Sequence, residues 1–236
     1  MEKISICIPT WNRYDLTKKC FEQILNDDRI AEILINDDNS TDGSYQRLVD
    51  DYLFDEKVVV RLNNDRLKVH GNKHMSVYNS FIEKKTEWCI LFDSDNVLTK
   101  DYLDKIYTYD WDKNTSYQPS FARPNFDYRH LVGVYDNNNI SEKIDLPLFD
   151  CMLNTQNFFI NKSEYVRVWR DEQDINGADS IFFNALWINA GNKIQVVDGL
   201  EYDHLVHRGS FYESVAEESL PKSNLIKEKL KNGIFN

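Results

Sequence analysis

Short apolar runs alternate with segments of helical periodicity along the first hundred residues. Four apolar, mostly β-branched runs have the length of strands, at residues 4–8, 30–35, 58–60 and 88–92, and Pro9 is expected to end the first. Three segments between them space apolar residues like helices, at residues 14–25, from 40 or 41 to about 52, and 75–84. This order predicts an α/β fold with a mainly parallel sheet flanked by helices on both faces.

The second half of the chain has a less regular pattern. Residues 110–139 are rich in Tyr, Asn and Asp and indicate short strands and loops. Beyond them we expect strands at 153–160 and 193–197, a helix at 179–190 and a Lys-rich amphipathic helix at 221–230. No repeat and no linker-like stretch interrupts the 236 residues, which favours a single domain over residues 1–236.

Composition and charge narrow the classes of function. Hydrophobic residues make up 42% of the chain and charged residues 28%, which is typical of soluble globular proteins. The net charge of −11 argues against nucleic-acid binding, which needs a basic face. The same charge does not exclude an anionic ligand held through a metal, because carboxylates build metal sites.

The cysteines and the hydropathy of the chain indicate the cellular compartment of the protein. None of the four cysteines forms a C-x-x-C pair, and Cys7 and Cys89 lie in apolar runs as small buried residues. Reduced thiols, the absence of a signal-peptide pattern after Met1 and the lack of an apolar run of ~20 residues predict a cytoplasmic protein with no membrane span.

Polar clusters follow three of the predicted strands. They occupy residues 9–13, 36–42 and 93–96, and the ends of parallel strands meet at one edge of the sheet. Acidic side chains gathered there repel one another unless a cation or a basic side chain compensates, and a divalent cation with oxygen ligands meets this need. The alternative is that Asp, Asn and Ser serve as ordinary turn and cap residues in these loops.

At these clusters the sequence resembles the family 2 glycosyltransferases, which are inverting nucleotide-sugar enzymes of the GT-A fold. The resemblance runs over about residues 3–212. The segments that carry it are residues 6–13, 35–44, the Asp-Ser-Asp of 93–95, 176–179 and 202–210. It implies a nucleotide-binding half at residues 1–98, an acceptor and catalytic half at 99–218, and a C-terminal helix at 219–236.

The resemblance also implies roles for individual residues. Asp179 is the catalytic base, Asp95 and Asp93 bind the metal, and His204 or His207 completes the metal or phosphate site, with His204 preferred. The residues that it implies for the donor-binding site are Pro9, Thr10, Asn12, Arg13, Asp37, Asp38, Arg66, Asp93 and Ser94. Two departures from the family pattern are Ala178, where an acidic residue is common, and residues 76–79, where an Ala-Arg-Asn stretch is common.

The expected chemistry is consistent with these residue types. Mn²⁺ or Mg²⁺ stabilises the charge on a leaving nucleoside diphosphate, and a carboxylate removes the proton of the acceptor hydroxyl. We therefore expect a metal-dependent inverting glycosyltransferase that uses a nucleotide sugar, most simply a UDP-sugar, and a hydroxyl acceptor such as a growing glycan. At the predicted start of its helix, Asp179 is favoured in its charged form, although an N-cap role alone would also explain it.

Two other functions stay open at this point. A sugar-1-phosphate nucleotidyltransferase has a related fold, but residues 9–13 lack the glycines of its first loop. A nucleotide-sugar-binding domain without catalysis is suggested by Ala178 alone. His70 and His74, four residues apart without a further ligand, are expected on a solvated helix face, and Trp88 in the core.

Overall fold

One mixed sheet organises the fold. The computed structural model describes residues 1–83, 86–172, 175, 177–205 and 211–233. Its strands are β1 (Ile4–Thr10), β2 (Ile30–Asp37), β3 (Val58–Leu62), β4 (Trp88–Leu91), β5 (Asn96–Val97), β6 (Thr115–Arg123), β7 (Phe126–Asp127), β8 (Gly133–Tyr135), β9 (Phe158–Asn161) and β10 (Lys193–His204). They lie in the order β3-β2-β1-β4-β9-β6-β10-β5, and β7 and β8 pair with β6 and β10.

Helices cover this sheet. They are α1 (Tyr14–Phe21), α2 (Ser44–Tyr52), α3 (Lys68–Glu83), α4 (Lys100–Ile106), α5 (Ile140–Lys143), α6 (Phe149–Leu153), α7 (Lys162–Val168), α8 (Asp179–Asn189) and α9 (Phe211–Lys231), with a 3₁₀ turn at Arg129–Leu131. Strands β1 to β4 pair in parallel, as the alternating pattern predicts, whereas β9 runs antiparallel to β4 and β6.

The central strand β1 separates two hydrophobic cores. Cys7 faces one core together with Leu91, and its neighbours Ile6 and Ile8 face the other, so successive side chains alternate between the two faces. Every residue of β1 is buried, which explains its nearly continuous apolar sequence. Trp88 is buried as predicted and stacks on Phe159 with ring centroids 5.0 Å apart.

Pro9 does not end β1, contrary to the sequence prediction. The strand continues to Thr10, and Pro9 lies opposite Asn36 of β2. Cys7 O accepts from the backbone N–H of Phe92, so Pro9, two residues later, faces the same side of β1. Pairing with β4 stops at Cys7, and the missing N–H of Pro9 therefore costs the sheet no hydrogen bond.

Several element boundaries also differ from the predicted ones. Helix α2 begins at Ser44 after Gly43, whose φ of 84° is in the left-handed region. Ser40 and Thr41 do not cap it, because Ser40 Oγ donates to Asp37 and Thr41 Oγ1 accepts from Asn12 in the loop after β1. Helix α1 ends at Phe21, α3 begins at Lys68, and β9 begins at Phe158. Strand β10 extends to His204, and Pro221 lies inside α9 instead of starting it.

His70 and His74 do not lie on a solvated face, so that expectation was wrong. The imidazole of His74 stacks on Trp169 with ring centroids 3.7 Å apart, and His70 stacks on the same indole with centroids 5.2 Å apart. The Nε2 of His70 lies 2.8 Å from the carbonyl oxygen of Arg170. Burial lowers the pKa of both histidines, and that of His74 falls to about 4.

Acid should destabilise the protein through His74. In the unfolded chain a histidine has a pKa of about 6.5. Between about pH 6.5 and pH 4, His74 is therefore protonated in the unfolded chain and neutral in the folded protein. Stability from this residue is present above that window and is lost as the pH falls through it. The variant His74→Phe keeps an aromatic ring against Trp169 and cannot bind a proton.

We expect the parent to lose about 2 kcal/mol more stability than His74→Phe between pH 8 and pH 5. Urea unfolding of both proteins at the two pH values measures this difference. Equal losses in the two proteins would contradict the assignment of a neutral His74.

Candidate active site

A cavity of about 500 Å³ opens at the carboxyl ends of β1 and β4. This is the edge where the sequence predicted the polar clusters to meet. The predicted site residues that line it are Pro9, Thr10, Arg13, Asp38, Arg66, Asp93, Ser94, Asp95, Asp179 and His204. The prediction that these strand ends converge is thus confirmed for most of the residues, and His207 and Asn176 fall outside the described residues.

Trp11 and Arg66 form one wall of the cavity. The guanidinium carbon of Arg66 lies 3.5 Å from the centre of the Trp11 ring, a close cation–π contact. Beside them, Asp38 accepts hydrogen bonds from Leu67 N (2.7 Å) and Asn63 Nδ2 (3.0 Å). Burial raises the pKa of Asp38. The sequence analysis did not select Trp11, although it lies in a motif that the analysis used.

Asp37 and Asn12 are placed differently from the other predicted donor residues. The carboxylate of Asp37 is buried and accepts from Ser40 N and Ser40 Oγ, both at 2.7 Å, and burial raises its pKa. Asn12 Oδ1 accepts from Thr41 N at 2.8 Å. Neither lies among the residues that line the cavity. Their contacts shape the loop that carries Asp38, which is the turn-forming role weighed for such residues.

Two carboxylates follow β4. Asp95 Oδ2 lies 2.6 Å from Arg13 Nη1 in an ion pair whose side chains each retain 19% exposure. Asp93 is held through its backbone N–H, which donates to Asn157 Oδ1 at 2.7 Å. Burial raises the pKa of Asp93, Lys73 opposes this effect, and the nearby charges of Asp95 and Asp179 add to it. The Asp93 carboxyl therefore depends on a positive partner to remain ionised.

Lys73 is that partner, and the sequence analysis missed it. Its ammonium lies 3.0 Å from Asp179 Oδ2 and 3.4 Å from Asp93 Oδ1, and its side chain is 6% exposed. Burial alone would lower the pKa of Lys73, but the two carboxylates more than offset burial, and the pKa lies above its ordinary value. In the sequence it is one polar residue among several in α3, and no spacing distinguishes it from a solvated lysine.

Asp179 is the first residue of α8 and is buried. The N-cap position belongs to Ala178, and the first turn is capped from a distance by Asn154 Oδ1, which accepts from Ile181 N at 3.3 Å, so the cap interpretation of Asp179 is wrong. Its carboxylate instead points to Lys73, which also contacts Ser180 Oγ at 3.3 Å. At the N-terminus of α8 this carboxylate also meets the positive end of the helix dipole, which favours a negative charge there.

His204 ends β10 and lies opposite Asn96 of β5, the residue after Asp95. Its ring Nδ1 is 2.7 Å from Asn125 Nδ2, and the same amide nitrogen is 3.2 Å from the His204 carbonyl oxygen. The sheet thus places this histidine next to the carboxylate loop, as the sequence resemblance requires.

The donor groups of the cavity determine whether it can bind a metal. Within the described residues, no group of three or more His, Cys, Asp and Glu side chains is arranged to hold a metal ion. Asp93 and Asp95 provide two carboxylates on one loop, which fits a cation that takes its other ligands from water and substrate phosphates.

The chain is similar in sequence to known proteins. The model of the family described as Glycosyl transferase family 2 matches residues 5–167. Two curated relatives are an abequosyltransferase of Salmonella typhimurium, 32% identical over 45% of this chain, and a GalNAc(5)-diNAcBac-PP-undecaprenol β-1,3-glucosyltransferase of Campylobacter jejuni, 31% identical over 42%. The alignments cover 32% and 31% of those proteins, so the chain spans about a third of the length of the relatives it matches.

Solved structures show the same fold. S. aureus TarS 1–349 in complex with UDP-GlcNAc has a TM-score of 0.68 at 14% identity, over 99% of this chain and 72% of that one. A mannosyltransferase from Pyrobaculum calidifontis in complex with GDP-Man and Mn²⁺ has a TM-score of 0.64 at 12% identity, over 99% and 69%. The predicted GT-A fold is confirmed. In the described part of the chain, no helix has both the length and the apolar character needed to cross a bilayer.

Removing the charge of Lys73 should destabilise the protein. In Lys73→Met, Asp179 and Asp93 lose their buried partner, and a broken buried pair costs about 3–5 kcal/mol. We expect urea unfolding at pH 7 to show a loss of this size, and a smaller loss at pH 4, where protonation of Asp93, whose pKa burial raises, removes part of the uncompensated charge.

The exposed Lys19 of α1 provides the matched control, because Lys19→Met should change stability by less than about 0.5 kcal/mol. If Lys73→Met were as stable as this control at pH 7, the ion pair would not be needed to hold the two carboxylates.

Proposed function

This chain belongs to glycosyl transferase family 2, and we propose that it is a metal-dependent inverting glycosyltransferase. It transfers a sugar from a nucleoside diphosphate donor, most simply a UDP-sugar, to a hydroxyl acceptor such as a growing glycan. One observation carries the proposal, which is that a single cavity brings Asp93 and Asp95 together with Asp179, and Lys73 joins the two sides. The nucleotide sugars held by TarS and by the mannosyltransferase support a donor of this class.

The nucleotide occupies the side of the cavity built by residues 1–98. Trp11 and Arg66 offer a flat surface for the base, and Asp38 with Thr10 provides hydrogen-bond acceptors beside it. The acceptor enters on the side built by residues 99–218, which contributes Asp179. The two predicted halves of the domain thus correspond to the two substrates in this proposal.

Asp95 and Asp93 are the residues that would hold Mn²⁺ or Mg²⁺. Such a cation supplies a positive charge that stabilises the negative charge gathering on the leaving diphosphate. Asp95 is now paired with Arg13, so a cation at Asp95 would free that guanidinium for the phosphates.

Asp179 is the proton acceptor of the reaction. Lys73 holds Asp179 Oδ2, so we assign Oδ1 to the acceptor hydroxyl. This hydroxyl loses its proton to Asp179 while its oxygen attacks the anomeric carbon from the face opposite the diphosphate. A single displacement of this kind inverts the configuration at that carbon.

The two alternatives receive no support from the site. Ala178, the reason for considering a domain without catalysis, is a buried N-cap residue and leaves Asp179 within the cavity. No observation favours a nucleotidyltransferase over the family that the chain matches.

The variant Asp179→Asn tests the base directly. It keeps the shape of the side chain and removes the proton acceptor, so turnover should fall by about 10²–10⁴-fold. Affinity for the nucleotide donor should stay within about threefold, because the residue faces the acceptor. Turnover and donor affinity are measured on the same purified protein, with Asp104→Asn, an exposed carboxylate of α4, as the control. Turnover within threefold of the parent would remove Asp179 from the reaction.

The variant Asp95→Asn tests the metal site. We expect Mn²⁺ to stop strengthening UDP binding, while binding in EDTA persists because Arg13 is then released toward the phosphates. Thermal shift with UDP in Mn²⁺ and in EDTA shows this, since ligand at ~100 times Kd adds about 2.7 kcal/mol of stability. The exposed Asp145→Asn is the control. An undiminished Mn²⁺ effect in Asp95→Asn would overturn this ligand assignment.

A further inference from the structure

Phe126 is an aromatic residue of the cavity wall to which the proposed reaction gives no role. Among the described residues that line the cavity, it is the only aromatic residue that is exposed, at 36%, whereas Tyr128 and Tyr202 are buried. It belongs to neither of the two hydrophobic cores that the described residues form. A single exposed phenyl ring needs no explanation on an ordinary surface, but on a cavity wall it is available to a ligand.

The ring of Phe126 is held in one orientation. Its backbone lies opposite Ala122 of β6 in the short pairing of β7. The ring of Tyr128 lies beside it at an angle of 9° with centroids 6.3 Å apart, and the ring of His204 crosses it at 74° with centroids 5.2 Å apart. A ring that is already fixed loses little conformational entropy when a ligand covers it.

The sheet separates Phe126 from the nucleotide side of the cavity. Ala122 of β6 pairs with Tyr202 of β10 on one edge and with Phe126 on the other, so β7 lies on the same side of β6 as β9. Strand β4 lies between β9 and β1. Trp11, which follows β1, and Phe126 are therefore on opposite sides of the carboxylate loop that follows β4. A donor with its base at Trp11 and its diphosphate at this loop leaves the side of Phe126 to the reacting sugars.

The cavity wall beside Phe126 is polar. Asn125 lines the cavity, and its side-chain hydrogen bonds to described residues use Nδ2, which leaves Oδ1 to accept from a hydroxyl group. Asn154 and Thr155 bring further polar groups to this half of the cavity. A flat apolar ring beside such groups matches a pyranose, whose C–H bonds form an apolar face and whose hydroxyls project from its edge. A lipid chain would instead need apolar groups on several sides.

Exposure assigns Phe126 to the acceptor and not to the transferred sugar. The proton acceptor Asp179 is buried, so the anomeric carbon that reacts beside it lies deep in the cavity. Phe126 is exposed to solvent on the cavity wall. The acceptor arrives from solution and leaves as the product, so its own sugar ring is the part that lies against an exposed wall.

We propose that the acceptor ends in a pyranose sugar whose C–H face stacks on the ring of Phe126, while Asn125 accepts a hydrogen bond from one of its hydroxyls. This inference rests on the proposed function and narrows its hydroxyl acceptor to a saccharide. Phe126 is then a specificity-determining residue, because a flat ring distinguishes a pyranose from the hydroxyl of a protein side chain or of a lipid.

Saccharide binding tests the contact. The protein is saturated with Mn²⁺ and UDP, or with GDP if UDP does not bind, and the probes are the methyl pyranosides of glucose, galactose, mannose and N-acetylglucosamine. Saturation-transfer NMR shows which of their C–H groups touch the protein. We expect a probe to bind with the strongest transfer on one face of its ring, and its affinity to fall about 10-fold in Phe126→Ala. Phe54→Ala, which removes a 93% exposed ring that does not line the cavity, is the control.

Two further variants distinguish stacking from general apolar contact. Phe126→Tyr keeps a flat ring and should bind the probe within about threefold of the parent affinity. Phe126→Leu keeps an apolar side chain without a flat face and should lose as much affinity as Phe126→Ala. Parent affinity in Phe126→Leu would overturn the inference, and so would a parent that binds decyl phosphate in preference to all four pyranosides.

Donor affinity separates the acceptor from the transferred sugar. In Phe126→Ala, the affinities for UDP, UDP-glucose and UDP-GlcNAc should each stay within about threefold of the parent values, because the ring faces the acceptor. A loss confined to the two UDP-sugars would place the ring on the transferred sugar and overturn the inference. If none of the four pyranosides binds the nucleotide-saturated parent, the inference alone fails. A parent that binds neither UDP nor GDP would overturn the proposed function together with it.

Discussion

The structure depends on the compensation of three carboxylates that the fold brings to one cavity. Asp93, Asp95 and Asp179 all line it, and Asp179 is buried. Burial raises the pKa of Asp93, and the nearby charges of Asp95 and Asp179 add to this effect, so the Asp93 carboxylate needs a positive partner to keep its charge. Lys73 and Arg13 supply positive charge from α3 and from the loop after β1. Each basic side chain takes part in holding an acidic group from a different element, so the ion pairs also tie the site together.

The sheet explains why these groups meet. Strands β1 and β4 pair in parallel, so Arg13 after one strand and Asp95 after the other emerge at the same edge. Helix α3 then carries Lys73 to that edge, and α8 starts there with Asp179. Strand β10 also pairs with β5, and His204 lies opposite Asn96. This pairing places the end of β10 beside the loop that carries Asp95. The chemistry of the cavity is thus assembled from five elements far apart in the sequence.

The strands and loops that could be predicted from the sequence are those marked by a pattern of neighbouring residues. Apolar runs marked β1 to β4, and acidic clusters after strands marked the edge where Asp93 and Asp95 lie. Pro9 was misjudged because its tolerance depends on where a neighbouring strand stops, which is a property of the sheet. The extension of β10 to His204 was missed for the same reason, since its partners β5 and β6 lie elsewhere in the chain.

The groups that sequence reasoning missed or misplaced take their roles from distant contacts. Lys73 is 106 residues from Asp179, and no spacing along α3 predicts that its ammonium is buried. His74 was placed in solvent because its helix segment is polar, yet Trp169 covers it. The side-chain amide of Asn125 contacts the ring of His204, which lies 79 positions later in the chain. Local patterns therefore located the site, and tertiary contacts determined which side chains hold charge and protons within it.

The two ion pairs differ in a way that indicates where a cation would enter. The Arg13–Asp95 pair keeps 19% exposure on both side chains, whereas the Lys73 and Asp179 side chains are only 6% and 7% exposed. Water screens the more accessible Arg13–Asp95 pair better, so a divalent cation would replace Arg13 at Asp95 at a smaller cost. Separating Lys73 from Asp179 would leave a buried charge without a partner, which is expensive. In the proposed function, a cation at Asp95 would therefore displace Arg13, while Lys73 would keep its contact with Asp179.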